Sequence, residues 1–462
     1  MLKVSFYGGA GTVTGSNFLI EGTEGKLLVD CGLEQGADFC AEEMYAPFPY
    51  DARAVDALVV THAHLDHVGR IPKLVKEGFR GDIYLTPPTK DLAGLILEDS
   101  VGILAEEAKR LGREPLYGEE DVKEALSRMR TLEYHVEREV TPGLSVYLRN
   151  TGHILGSASA RVKDSGGTTA VFTGDIGNSP SPLLPDWEAV PDADALVMES
   201  VYGNRLHPPH KERVARLLET LTRAVKRGGT ILIPAFSLER TQLMLYELSN
   251  FFSEGKLPKV PVFLDSPLAI RVTEVYEKWG PTYFKAVAED EMKREGSLFS
   301  FPFLTETLSR EESEGIRKAP KQKIIIAGAG MSHGGRIGRW ESEYLPRPDT
   351  TLIIVGYQAP GSPGRRMAEG AKSVRLYGRE VRIRAAVNIL EGWSAHADRD
   401  ELLAFAEAAL SGKRPKAIFT ALGEPAAARF LAQRIHDYLG ARTVAPQKGE
   451  TWEVTKETVR RL

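Results

Sequence analysis

Three imidazoles and a carboxylate fall within six residues, His62-Ala63-His64-Leu65-Asp66-His67. The apolar, β-prone run Ala57-Leu58-Val59-Val60-Thr61 leads into them and ends in a polar turn. Side chains alternate along a strand, so a strand stopping there holds His62 and His64 on one side of its tip. Asp66 and His67 come after the turn and aim at a second point nearby. Imidazole and carboxylate are the ligands of a zinc site that keeps a position open for water. Only 10 histidines occur in 462 residues, so this density marks a metal site rather than a scatter of loop histidines.

The length is too great for one compact core and suits two domains. An apolar content of 42% with 26% charged residues is that of a globular protein. The net charge of −4 excludes a uniformly basic nucleic-acid binder, so a polyanion has to meet a local basic patch. Cys31 and Cys40 are the two cysteines. They make no disulfide framework, and a reducing cytoplasm is expected. The opening residues Met1 to Phe6 enter a strand pattern without a signal-peptide hydrophobic stretch. No apolar run reaches the ~18 residues of a membrane span, and no membrane partner is expected.

Short strands with glycine turns are expected over 3–7, 17–21, 26–31 and 57–60, then 82–85, with helices over 91–111 and 119–129. Asp30 ends one strand, where an acid is either a solvated turn residue or a partner that orients a metal-bound histidine. His153, in Asn150-Thr151-Gly152-His153, follows the strand 145–148, and Asp175 closes Val171-Phe172-Thr173-Gly174-Asp175. Together these residues supply two metals: His62, His64 and His153 on one, Asp66 and His67 on the other, and Asp175 between them. A bridged pair activates water at neutral pH and stabilises charge on the attacked centre.

Asp30, the His62–His67 cluster, His153 and Asp175 resemble the motif series of the metallo-β-lactamase fold, over residues 1–200. The resemblance implies an α/β, four-layer αββα sandwich with the metals at one edge of its two sheets. Farther on, strand-then-helix stretches at 231–237, 262–268, 324–328 and 351–356 recur, which argues for a second α/β domain with a mainly parallel sheet. The phrases 199–203, 233–242, 265–270, 327–336 and 356–365 are similar to those of the β-CASP nucleases, in which such a domain is inserted into the lactamase fold. The expected layout is therefore 1–205 and 366–462 for the metallo-β-lactamase domain and 206–365 for the insert. It looks most like the short bacterial form of that family, related to the polyadenylation endonuclease and ribonuclease J.

In such relatives the histidine matching His396, in Gly392-Trp393-Ser394-Ala395-His396, stands by the scissile phosphate, hydrogen-bonded to the acid matching Glu199. A carboxylate raises a histidine pKa and fixes its tautomer, which suits proton donation to a leaving alkoxide. Asp66 and Asp175 join Glu199 and His396 in the expected catalytic set. One departure stands out. RNA-cutting members usually carry His-Gly-Glu where this chain has Leu422-Gly423-Glu424, and that histidine completes the second metal. Two Zn2+ are thus expected, the second held less tightly. Basic residues in glycine-rich turns, Lys318, Lys321, Lys323, Arg336, Arg339, Arg365 and Arg366, form a candidate phosphate patch. Contacts with RNA are expected at Arg336, Ser237 and Ser394. The implied activity is zinc-dependent hydrolysis of single-stranded RNA, by internal cleavage or from the 5′ end, with homodimerisation left open. The rival readings are a thioester or small-ester hydrolase, a DNA nuclease, and a weakly active RNA-binding homologue.

Overall fold

The fold is that of a computed structural model, which describes every residue except 36–39, 357, 359 and 360; counts below refer to the described residues. The chain divides into two compact units, Met1–Leu206 with His396–Leu462, and His207–Ala395.

The first unit is built on two sheets. One runs Val459–Arg461, Thr451–Val454, Leu2–Gly8, Asn17–Glu21, Lys26–Val29, Ala57–Val59, Asp82–Leu85, Met129–Thr131. The other runs Thr443–Val444, Ala417–Thr420, Ala195–Met198, Thr169–Phe172, Ala158–Asp164, Leu144–Asn150, Glu137–Thr141. Alternation decides which side chains fill the space between them. Leu2, Val4 and Phe6 from one strand join Phe18, Val29 and Val59, and from the second sheet Val146, Phe172, Val197 and Phe419, in one buried cluster. Phe6 bridges the layers, its ring centre 5.5 Å from Phe18 and 5.3 Å from Phe419. On the second sheet's other face, Val171, Leu196 and Ile418 are covered by Leu402 and Phe405 of the helix Arg399–Ala409 and by Leu431 and Ile435 of the helix Pro425–Leu439. The first sheet's outward residues Leu28, Leu58 and Ile83 are fully buried as well. The helix Pro87–Leu111 lies on that side, against the strand Met129–Thr131. The result is a four-layer αββα sandwich.

Strand direction gathers the chemistry. Lys26–Val29 and Ala57–Val59 pair in parallel, so their carboxyl ends share one edge. Thr169–Phe172, Ala195–Met198 and Ala417–Thr420 are also mutually parallel. Leu144–Asn150 runs the same way, two antiparallel steps removed. The polar residues that follow these strands leave from the carboxyl ends.

The second unit has a six-stranded sheet, Leu304–Glu306, Val262–Leu264, Lys323–Ala327, Thr230–Pro234, Thr351–Val355, Ala386–Leu390, with every ladder parallel. Its central strands are buried throughout, as apolar runs such as Ile324-Ile325-Ile326 require when helices cover both faces. Two boundaries differ from the sequence reading. The second unit extends to Ala395 rather than ending at 365, because Ala386–Leu390 pairs with Thr351–Val355 as an edge strand. Asn388 interrupts its apolar pattern and Ile389 is exposed, so it does not look like a sheet strand in sequence. The strand expected to reach Cys31 stops at Val29, because Asp30 takes φ 58°. Among the described residues no helix is long and apolar enough to cross a membrane.

Candidate active site

Asp30 is fully buried at the end of its strand and collects donors from three segments. Its carboxylate accepts from Ser16 Oγ at 3.0 Å, from Thr61 N at 2.8 Å and from Thr61 Oγ1 at 3.0 Å. The His67 Nδ1 lies 2.7 Å from the same carboxylate. A carboxylate facing Nδ1 holds the proton there and turns Nε2 toward the opposite side. Thr61 Oγ1 does the same for His62, 3.1 Å from its Nδ1. Both rings are thereby fixed with Nε2 pointing inward. Asp66 and His67 sit in the short helix Leu65–Val68, whose N-cap is His64, rather than in an open loop.

Four side chains converge on one point. His62 Nε2 is 3.1 Å from His64 Nδ1, and His153 Nε2 is 3.2 Å from it. Asp175 Oδ2 is 3.2 Å from His62 Nε2 and 3.4 Å from His153 Nε2. A tetrahedron with zinc–nitrogen bonds of 2.0–2.1 Å has edges of about 3.3 Å. The measured separations match that edge, so this donor set fits a tetrahedral cation. Burial pushes His64 and His153 well below the ordinary imidazole range, as neutral ligands require. Ser157 Oγ accepts from the His153 backbone N at 3.0 Å and fixes its turn.

Beside it lies a looser group. The buried His67 Nε2 has no hydrogen-bond partner. It is 3.5 Å from Asp175 Oδ1 and 3.9 Å from Asp66 Oδ2. Burial raises the Asp66 carboxyl, whereas His67, His396 and His62 overcome burial at Asp175 and hold it well below its usual range. A buried orphan nitrogen between two carboxylates also fits a cation, with three protein donors. Leu422, the expected vacancy, is 2% exposed and belongs to the cluster between the sheets. Its backbone takes φ 48°. Its N donates to Gly9 O at 2.6 Å and its O accepts from Ser200 N at 3.3 Å. The apolar side chain is packed there, not left facing a metal.

Glu199 follows the strand Ala195–Met198 and is fully buried. Its Oε1 accepts from Ile176 N at 2.5 Å, and both carboxylate oxygens lie 3.3 Å from His396 Nδ1. Asp175 Oδ2 is 3.9 Å from the same nitrogen. Burial opposes charge on His396, but the Glu199 and Asp175 carboxylates outweigh it and raise the imidazole to about 9. Asp175, Glu199 and His396 form a second convergent group that shares Asp175 with the first.

Four of the basic residues expected near phosphate have protein partners in the structure. Arg336 donates to Asp265 at 2.6 Å, to Thr307 O at 2.9 Å and to Leu308 O at 2.6 Å. Arg339 pairs with Glu314, Arg365 with Glu369 and Lys321 with Asp349. Of these pairings only Arg365–Glu369, one helical turn apart, is visible in sequence spacing. Ser237 is half-buried, 3.4 Å from Ser266 Oγ, and Ser394 is buried; both, like Arg336, belong to the second unit. Thr61 and Ser157 were missed. For Thr61 the signal was its place beside His62 at the end of a strand, where its hydroxyl reaches both the ring and Asp30.

Three family models cover most of the chain: Metallo-beta-lactamase superfamily at residues 10–235, Beta-Casp domain at 241–367, and Zn-dependent metallo-hydrolase RNA specificity domain at 380–446. Ribonuclease TTHA0252 of Thermus thermophilus is 39% identical over 403 residues, 87% of this chain and 90% of that one. Transcription termination factor FttA of Pyrococcus abyssi is 33% identical over 474 residues, 97% of this chain and 71% of that one. A crystal structure of a protein of unknown function from Enterococcus faecalis shares the fold, with a TM-score of 0.56 at 13% identity over 98% of this chain and all of that one. The motif series, the two sheets with the donors at their carboxyl ends, the parallel second unit and these matches agree: the chain belongs to the β-CASP family of the metallo-β-lactamase superfamily.

Proposed function

We propose that the chain is a zinc-dependent ribonuclease that hydrolyses phosphodiester bonds in single-stranded RNA. The observation that carries the reading is the shared Asp175, which joins a tetrahedral donor set to the pair of buried Glu199 and partly exposed His396. Hydrolysis of a phosphodiester needs both an electrophilic site and a proton donor for the leaving oxygen. The named ribonuclease among its relatives and the match to an RNA specificity domain support RNA as the substrate.

His62, His64, His153 and Asp175 would hold the first ion, and Asp66, His67 and Asp175 the second, which is the weaker because Leu422 offers no ligand. Bound zinc supplies Lewis acidity, activating water and stabilising charge on the phosphate. Asp30 and Thr61 keep the ligand tautomers. With Nδ1 committed to Glu199, the His396 ring carries its transferable proton on Nε2, and Glu199 stabilises the imidazolium before transfer. Cytoplasmic location is proposed too, in keeping with two free, buried cysteines.

A substrate panel tests the reading: labelled single-stranded RNA, labelled single-stranded DNA and a glutathione thioester, each with zinc-loaded protein. RNA cleaved well above the other two is the expected result. Preferred turnover of DNA or thioester would replace it with the corresponding rival, and binding of RNA without turnover of any of the three would indicate an RNA-binding homologue.

A further inference from the structure

The helix Pro425–Leu439 is docked by Ala427, Ala428, Leu431 and Ile435. Its outer side carries Phe430, Arg434 and Tyr438, four residues apart and so aligned in one row, with a rise of about 6 Å per step. Phe430 is 40% and Tyr438 64% exposed. The Arg434 guanidinium carbon lies 5.4 Å from the Phe430 ring centre and 5.0 Å from that of Tyr438, and Nη1 donates to the Tyr438 hydroxyl at 2.5 Å. One cation thus lies over both rings, which remain partly exposed. Flat aromatic faces and a guanidinium plane are the surfaces on which unpaired bases stack without regard to sequence.

Residues 202 and 203 link the catalytic pair to this helix. The Tyr202 ring centre is 6.3 Å from that of His396. One residue on, Gly203 packs on the helix so closely that a Cβ there would meet Ala427 O at 2.8 Å and Leu431 Cβ at 2.9 Å. The Arg205 carbonyl accepts from Arg399 N at 2.9 Å. The Arg434 guanidinium puts a positive charge at the centre of the row, which suits a polyanion.

We propose that Phe430, Arg434 and Tyr438 form a stacking track for the single-stranded RNA flanking the scissile bond. The proposal rests on the ribonuclease reading for its ligand, but its test reads binding rather than turnover. Zinc-loaded full-length protein is titrated into fluorescent, cleavage-resistant 2′-O-methyl RNA of about 4 and about 16 nucleotides. In Phe430→Ala/Tyr438→Ala the Kd for the long RNA should rise roughly tenfold, with a much smaller change for the short one. Phe430→Leu/Tyr438→Leu keeps apolar bulk without a flat face and should lose affinity similarly. Equal long-RNA affinity in wild type and the alanine variant, or full affinity in the leucine variant, overturns the track, as does absence of RNA binding by wild type. A dimer in sedimentation that dissociates in the variants, with RNA affinity unchanged, would assign the face to a second copy of the chain. If the alanine variant unfolds, Arg434→Gln is read by the same criteria. A protein that binds long RNA through this row yet leaves ordinary RNA uncut would retain the track and defeat the ribonuclease reading.

Discussion

Thr61 and Asp30 set which nitrogen of His62 and His67 faces the metals. Asp30→Asn removes the charge that holds the His67 proton on Nδ1 while keeping the side chain's size. Zinc affinity should fall by about ten- to hundredfold, read by competition with a fluorescent chelator. Unchanged affinity would mean that the Asp30 network is only a strand-end brace. Glu199 and His396 act beyond the metal donors. Glu199→Gln and His396→Ala should each slow RNA cleavage by about a hundredfold or more with zinc content nearly unchanged. If, as proposed, the two form one proton-donating unit, the double variant should be little worse than either single one. Multiplicative losses would contradict the unit.

The elements explain why so much of the site was legible. Apolar runs end in His62, Asp175 and Glu199, and parallel pairing brings strand ends together, so a strand-then-ligand pattern in sequence becomes a cluster in space. The basic residues carry a further feature that their composition alone does not give: Arg336 and Arg339 find acids distant in sequence and Arg365 one a helical turn away. Leu422 marks the strand end that lacks a donor. Metal binding after dialysis should therefore proceed in two steps, one tight equivalent and a second that fills only with added zinc. Two tight equivalents would show that Asp66, His67 and Asp175 suffice. The second unit carries a different signature. Glu341 is fully buried with only Ser332 Oγ donating to it, and burial raises its pKa to about 8. Burial likewise raises Glu239 and Glu247 to about 7 each. Their folded pKa values lie above those of the unfolded chain, so their contribution is complete below about pH 4.5 and is lost as pH rises toward 7 and 8. For Glu341 the loss is on the order of 5 kcal/mol. Glu341→Gln should flatten the fall in urea midpoint between pH 5 and pH 8 (about the titration window) and exceed wild type at its upper end. A parallel decline in both proteins would rule out this residue as the source.

At the scale of the whole molecule, the sandwich was expected from the resemblance carried by the motif series, and the parallel second sheet from the alternation of strands and helices. The return point was not legible, because Ala386–Leu390 is an edge strand whose half-exposed residues carry a weak apolar signal. What unites the chain is that the two strand-end clusters share Asp175, which in the proposed mechanism makes the metal and the Glu199–His396 pair parts of one hydrolytic centre. Single-turnover cleavage of end-labelled, single-stranded RNA tests that claim most directly, with chelator-stripped protein, the same protein after zinc is restored, and His64→Ala at matched protein concentration. The account predicts product from the zinc-restored wild type alone. Cleavage at the wild-type rate by the stripped protein or by His64→Ala would contradict it.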